Sequence, residues 1–148
     1  MKNMKAFIVS VLCLLAVGAI AQPVPYYQTQ GVAINGYDAV AYFSSQSAVK
    51  GSADFTHQWS GATWQFSTRE NRDLFVANPE KYAPQFGGYC AYGVSENHKS
   101  PTDPAAFTIM DGKLYLNYNL KVKTLWLGDV KSRIAKAEQY WPSLIDKP

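Results

Sequence analysis

Cysteine and histidine are scarce in this chain. Its 148 residues hold two of each, and Cys13 lies in an apolar N-terminal run. No CxxC, HxxxH or HExxH spacing occurs, so the local signatures of zinc ribbons, redox dithiols and zincin helices are missing. A closed structural zinc site needs four ligands. One cysteine and two histidines do not supply them without carboxylates. Charge of one sign is lacking too: 14 Lys and Arg stand against 11 Asp and Glu. Lys2 and Lys5 belong to the N-terminal run, so the remainder is close to neutral. That balance gives no electrostatic footprint for nucleic acid. "VKGS", "NGYD" and "FGGY" carry no phosphate-loop pattern, and no internal repeat, heptad or low-complexity tract is present.

Long apolar runs are also few, and the longest is N-terminal. "MKNMK" precedes "AFIVSVLCLLAVGAIA", which ends in small residues. This is the layout of a secretory signal peptide over residues 1–21, cut before Gln22. The run is short for a membrane span, and polar "QPVPYYQTQG" follows. Leu12 precedes Cys13 where a lipid-attachment signal needs a small residue, so Cys13 goes with the discarded leader. Periplasmic location is the expectation, with secretion as the alternative. Residues 22–30 read as an extension, 31–142 as one domain and 143–148 as a tail.

Hydrophobic phase and turn residues set the expected elements. "NGYD" reads as a turn and "AVAYF" as a strand. "FTHQWSGATWQFS" reads as a hairpin about Ser60–Gly61, with Phe55, His57 and Trp59 in phase on one face. "STRENRDLFVANPEKYAPQ" is helical, with Ser67 and Glu70 as a capping box and a break at Asn78–Pro79. "YCAYGVSEN" fits a short helix or a loop. "FTIMDGKLYLNYN" is a second hairpin about Asp111–Gly112. One long helix is expected from "LKVKTLWLGDVKSRIAKAEQYW", capped by Asn119 and closed by Pro142. The fold class is α+β: small antiparallel hairpins packed against two main helices.

Cys90 is then the one thiol left for chemistry. Three readings of it stay open: a soft-metal ligand, a nucleophile, or a small buried side chain. His57 shares phase with Phe55 and Trp59 and is the preferred partner. Asp38 is the reserve ligand. His98, beside Lys99 and Ser100 in a polar loop, reads as solvent-exposed and is not chosen. No residue is assigned a catalytic role, and a binding protein is favoured over an enzyme.

"GYDAVAYF", "FTHQWSGATWQFS", "ENRDLFVANPEKYAPQFGGYCAYGVS" and "DGKLYLNYNLKVKTLW" together resemble the exported YHS domain-containing proteins over residues 31–142. The resemblance implies a small metal-associated module. Here a single cysteine, Cys90, stands where related modules carry several, and Ala39 replaces a proline. The implied function is an exported metal-associated binding protein. Copper is the implied metal and zinc the alternative. Cys90, His57 and Asp38 are the candidate metal ligands, and a metal donor or acceptor protein completes the shell. The alternatives are a structural or protein-interaction domain with Cys90 buried, and a small thiol-dependent hydrolase or transferase.

Overall fold

A computed structural model describes residues 25–148. The expected signal peptide lies outside the described residues. The rest is α+β, as its sequence pattern implies.

The chain enters through a strap, Pro25–Tyr27, and a small reversal formed by β1 (Gln28–Thr29) and β2 (Val32–Ala33). β3 (Ser52–Trp59) and β4 (Ala62–Phe66) form the first hairpin. Ser60 and Gly61 both have positive φ, 50° and 76°, as a type I′ turn requires. The sheet order is β1-β2-β4-β3, with β2 parallel to β4 and the other pairs antiparallel. β5 (Phe107–Met110) and β6 (Lys113–Leu116) form the second hairpin about Asp111–Gly112.

Two apolar cores lie on either side of β6. Leu114 and Leu116 join the first, with Tyr42, Trp64, Phe66 and Phe75. Tyr115, of opposite phase, joins the second, with Phe86, Val94, Trp126 and Ala137. The alternation of one short strand thus serves both faces. Full burial of each large side chain contributes about 1.5–3 kcal/mol.

Helices differ from expectation at four places, each for a local reason. "AVAYF" is not a strand: Ala41–Ser44 form α1, because Asp38 Oδ1 accepts from the amides of Val40 and Ala41. The cap of α2 (Arg69–Ala77) is Thr68, whose Oγ1 accepts from Asn71; Ser67 is occupied with Asp38. Asn78 caps α3 (Pro79–Tyr82), with Pro79 at its first position. The long C-terminal helix is two: α5 (Leu120–Leu127), capped by Asn119, and α6 (Val130–Leu144). The break falls at Gly128–Asp129, where Asp129 leaves helical geometry at φ −145°, ψ 46°. Pro142 does not end α6; Ser143 and Leu144 continue it, and Leu144 is buried in the second core.

α4 (Ala91–Ser95) is short. Asn97 follows it at φ 64°, a left-handed residue that reverses the chain. The loop then closes on itself: the Cys90 amide donates to the Ser100 carbonyl at 3.0 Å, and the His98 amide to the Gly93 carbonyl at 3.1 Å.

Candidate functional site

This closed loop puts Cys90 at the floor of a cavity of about 240 Å³. His98, Ser100, Tyr92, Tyr118 and Val122 form the walls. Cys90 itself is only 2% exposed. Its thiol donates to Asn117 Oδ1 at 3.5 Å, and its sulfur accepts from the amides of Tyr118 at 3.2 Å and Gly93 at 3.5 Å. Two N–H donors thus converge on the sulfur while its own S–H points at an amide oxygen, and all three contacts are long and weak.

Asn117 is fully buried. Its Oδ1 also accepts from the Tyr92 amide at 3.2 Å, which fixes the amide's orientation, because the other rotamer would set N–H against N–H. Its Nδ2 has no partner among the described residues. A buried amide donor left unpaired is costly.

Gly93 separates sulfur from imidazole. A Cβ at Gly93 would stand 3.3 Å from His98 Nε2, from the His98 carbonyl and from Ser100 Oγ. Glycine is what lets the imidazole approach the backbone that donates to Cys90. His98 Nδ1 lies 3.4 Å from the Glu96 carbonyl. A carbonyl only accepts, so this contact is a hydrogen bond only in the tautomer with the proton on Nδ1, the one that leaves Nε2 free to act as a ligand on the Gly93 side.

The structure sets the other two candidate ligands elsewhere. Asp38 is fully buried and spends both oxygens. Oδ1 caps α1 as described; Oδ2 accepts from the Ser67 amide (2.8 Å), Ser67 Oγ (2.6 Å) and Asn71 Nδ2 (2.8 Å). Five donors leave it no lone pair directed at a cation, and it ties α1, β4 and α2 together. His57 is half-buried on β3, its ring edge-on to Phe75 at 6.3 Å, and lines no part of the Cys90 cavity. Among the described residues, no three His, Cys, Asp or Glu side chains come close enough to hold a metal ion.

α6 braces this site from behind. The Arg133 guanidinium lies 4.1 Å from the centre of the Tyr92 ring, donates to Ser95 Oγ at 3.1 Å and pairs with Glu96. Burial opposes its charge, but the Glu96 hydrogen bond, the Tyr92 hydroxyl and the acidic neighbours outweigh it and raise its pKa. Across the cavity rim, Tyr118 is 52% exposed.

The donor set at hand is one thiol and one imidazole, with hydroxyls beside them. That set fits a soft ion content with few ligands, such as Cu(I), and is too small for tetrahedral zinc. The sequence reads His98 as solvent-exposed, and eight residues from Cys90 matches no standard spacing; it is exposed in the structure, yet its side chain also lines the Cys90 cavity. The signal that could have found it is the reversal: a short helix, then Asn97, then histidine.

No protein-family model, curated protein or solved structure matches this chain. Among the described residues, no helix is long and apolar enough to cross a membrane.

Proposed function

We propose that this is an exported soft-metal-binding protein of the YHS type, with Cys90 and His98 as its ligands. The observation that carries the reading is the shared cavity: Cys90 sulfur at the floor, His98 Nε2 across Gly93. His98 takes the place first given to His57, and Asp38 leaves the ligand set. Bound Cu(I) would supply a soft electrophilic centre that thiolate and imidazole together satisfy. The chain's own part is to hold the two donors on one cavity, with Asn117 and the Gly93 and Tyr118 amides positioning the sulfur. Two protein ligands leave room for a third from a donor or acceptor protein.

Competition titration with a chromophoric Cu(I) chelator tests this. The wild-type chain is expected to take up one Cu(I). Cys90→Ser should lower the affinity by more than about 100-fold, and His98→Ala by about 10- to 100-fold. His57→Ala should leave it unchanged. Equal affinity of Cys90→Ser and wild type would sink the proposal.

A second reading has its own support. The sulfur is almost fully buried and makes three hydrogen bonds, as a structural cysteine would. It predicts no uptake of Cu(I) and a stability loss in Cys90→Ser.

A further inference from the structure

A larger cavity, of about 400 Å³, opens on another side of the molecule, between the entering strap and α6. Its apolar walls include the rings of Tyr26, Phe86 and Trp141. Phe86 and Trp141 meet edge to face, centroids 6.2 Å apart at 70°. Glu80, from α3, and Glu138, from α6, also line it. No lysine, arginine or histidine is among the described residues that do so.

The cavity is built at a backbone cost. Phe86, Gly87 and Gly88 have consecutive positive φ of 52°, 61° and 77°. Left-handed geometry is unfavourable for phenylalanine and persists only where the surroundings enforce it. The Tyr27 amide donates to the Gly87 carbonyl at 2.7 Å and staples the strap there. A Cβ on Gly87 would stand 1.9 Å from the Pro25 carbonyl oxygen and 3.0 Å from the Trp141 ring. Glycine at 87 therefore sets the strap and Trp141 at their separation, and the cavity lies between them.

From aromatic walls, two carboxylates and the absence of a basic side chain among the described lining residues, we infer that this cavity binds an organic ammonium group. Aromatic faces are electron-rich and attract cations, and rings with carboxylates are the usual means of holding alkylammonium ions. An anion would meet two like charges and no cationic side chain among the described lining residues. A neutral apolar ligand would leave both carboxylates partly desolvated without compensation. The carboxylates also act on the surroundings: burial and, after it, Glu80 push Tyr26 up to about 12, and Glu138 adds to the burial that raises Tyr115. This site is separate from the Cys90 cavity and does not depend on metal.

The test follows backbone and indole resonances of the folded chain by NMR during titration. The probes are tetramethylammonium, n-butylammonium and, as a neutral counterpart, tert-butanol. Saturable shifts of the Trp141 indole and the Gly87 amide are expected with at least one ammonium probe. The stronger of the two identifies a quaternary or a primary amine as the source. tert-Butanol should bind more weakly, on the order of tenfold. Glu80→Gln with Glu138→Gln changes only exposed side chains and should weaken ammonium binding by about tenfold, with the fold retained. Cys90→Ser should bind as wild type does. Shifts that stay linear up to roughly 100 mM probe, equal binding of tert-butanol, or an unchanged double variant would each overturn the inference.

Discussion

Asp38 and Cys90 begin two short helices in the same way, and the two sites end differently. Each residue is buried, and each side chain accepts from amides of the helix it precedes. Asp38 gathers five donors, all between 2.6 and 3.1 Å. Nothing at it is left over. Cys90 gathers three long contacts to sulfur, leans on an asparagine with an idle N–H, and faces a cavity. A carboxylate with every lone pair used is a fastener. A sulfur held by weak and opposed partners is one that can change partners. Burial alone does not separate the two roles, since Asp38 is 0% and Cys90 2% exposed; the completeness of hydrogen bonding does.

The comparison is broken most severely at Asp38. Asp38→Ala removes one acceptor from five donors and is expected to cost about 3–5 kcal/mol, read by urea denaturation. If the loss is under about 1 kcal/mol, Asp38 is not the fastener described here. Cys90→Ala should cost less, about 1–2 kcal/mol, because sulfur's hydrogen bonds are weak, while abolishing Cu(I) uptake. Equal losses at the two positions would erase the distinction.

Gly93→Ala sharpens the comparison within the second site. Its methyl would enter the space between the sulfur's donor and His98 Nε2. A stability cost of about 1 kcal/mol is expected, with weaker Cu(I) binding as His98 is pushed outward. Unchanged Cu(I) affinity would separate His98 from the metal site.

Alkaline pH distinguishes the regions more gently. Burial, then Glu80, push Tyr26 up to about 12, and burial, then Tyr37 and Asp103, raise Tyr42. Both pack in the first core. A tyrosine whose folded pKa is raised stays protonated after its unfolded counterpart ionises at about 10. Its stabilisation is therefore complete below pH ~10 and lost as pH rises through the folded value. Urea midpoints measured from about pH 9 to 11 should fall, and less steeply in Tyr42→Phe. That variant also loses the bond from the Tyr42 hydroxyl to the Pro104 carbonyl, so the slope, not the midpoint, is the readout. The smallest effect is expected at His57→Ala, under about 1 kcal/mol, since its ring is half-buried and meets Phe75 edge-on.

Local chemistry was legible in the chain before its structure. "SG" and "DG" between alternating apolar residues are enough for both hairpins, because a type I′ turn and the strand pleat are decided within a dozen residues. Asn119 announces a helix start for the same reason, whereas Asn78, legible as a break, also caps the short α3 that follows. The α5–α6 break was half legible: Gly128 weakens a helix, but the sequence carries no sign that Asp129 leaves helical geometry there. What "GYDAVAYF" hid was the reach of Asp38, whose partners Ser67 and Asn71 lie about thirty residues on.

The sequence by itself determined the α+β class, the two hairpins with their turns, and the singling out of Cys90, which is the one cysteine among the described residues. Those follow from periodicity, turn residues and composition, all properties of neighbouring positions. Only tertiary structure decided which histidine meets Cys90, that Asp38 is a fastener, and that Tyr26, Phe86 and Trp141 share a cavity with two glutamates. Each of those depends on closing a loop or packing one element across another. Such closures are set by the sum of many weak contacts, which no single stretch of sequence carries.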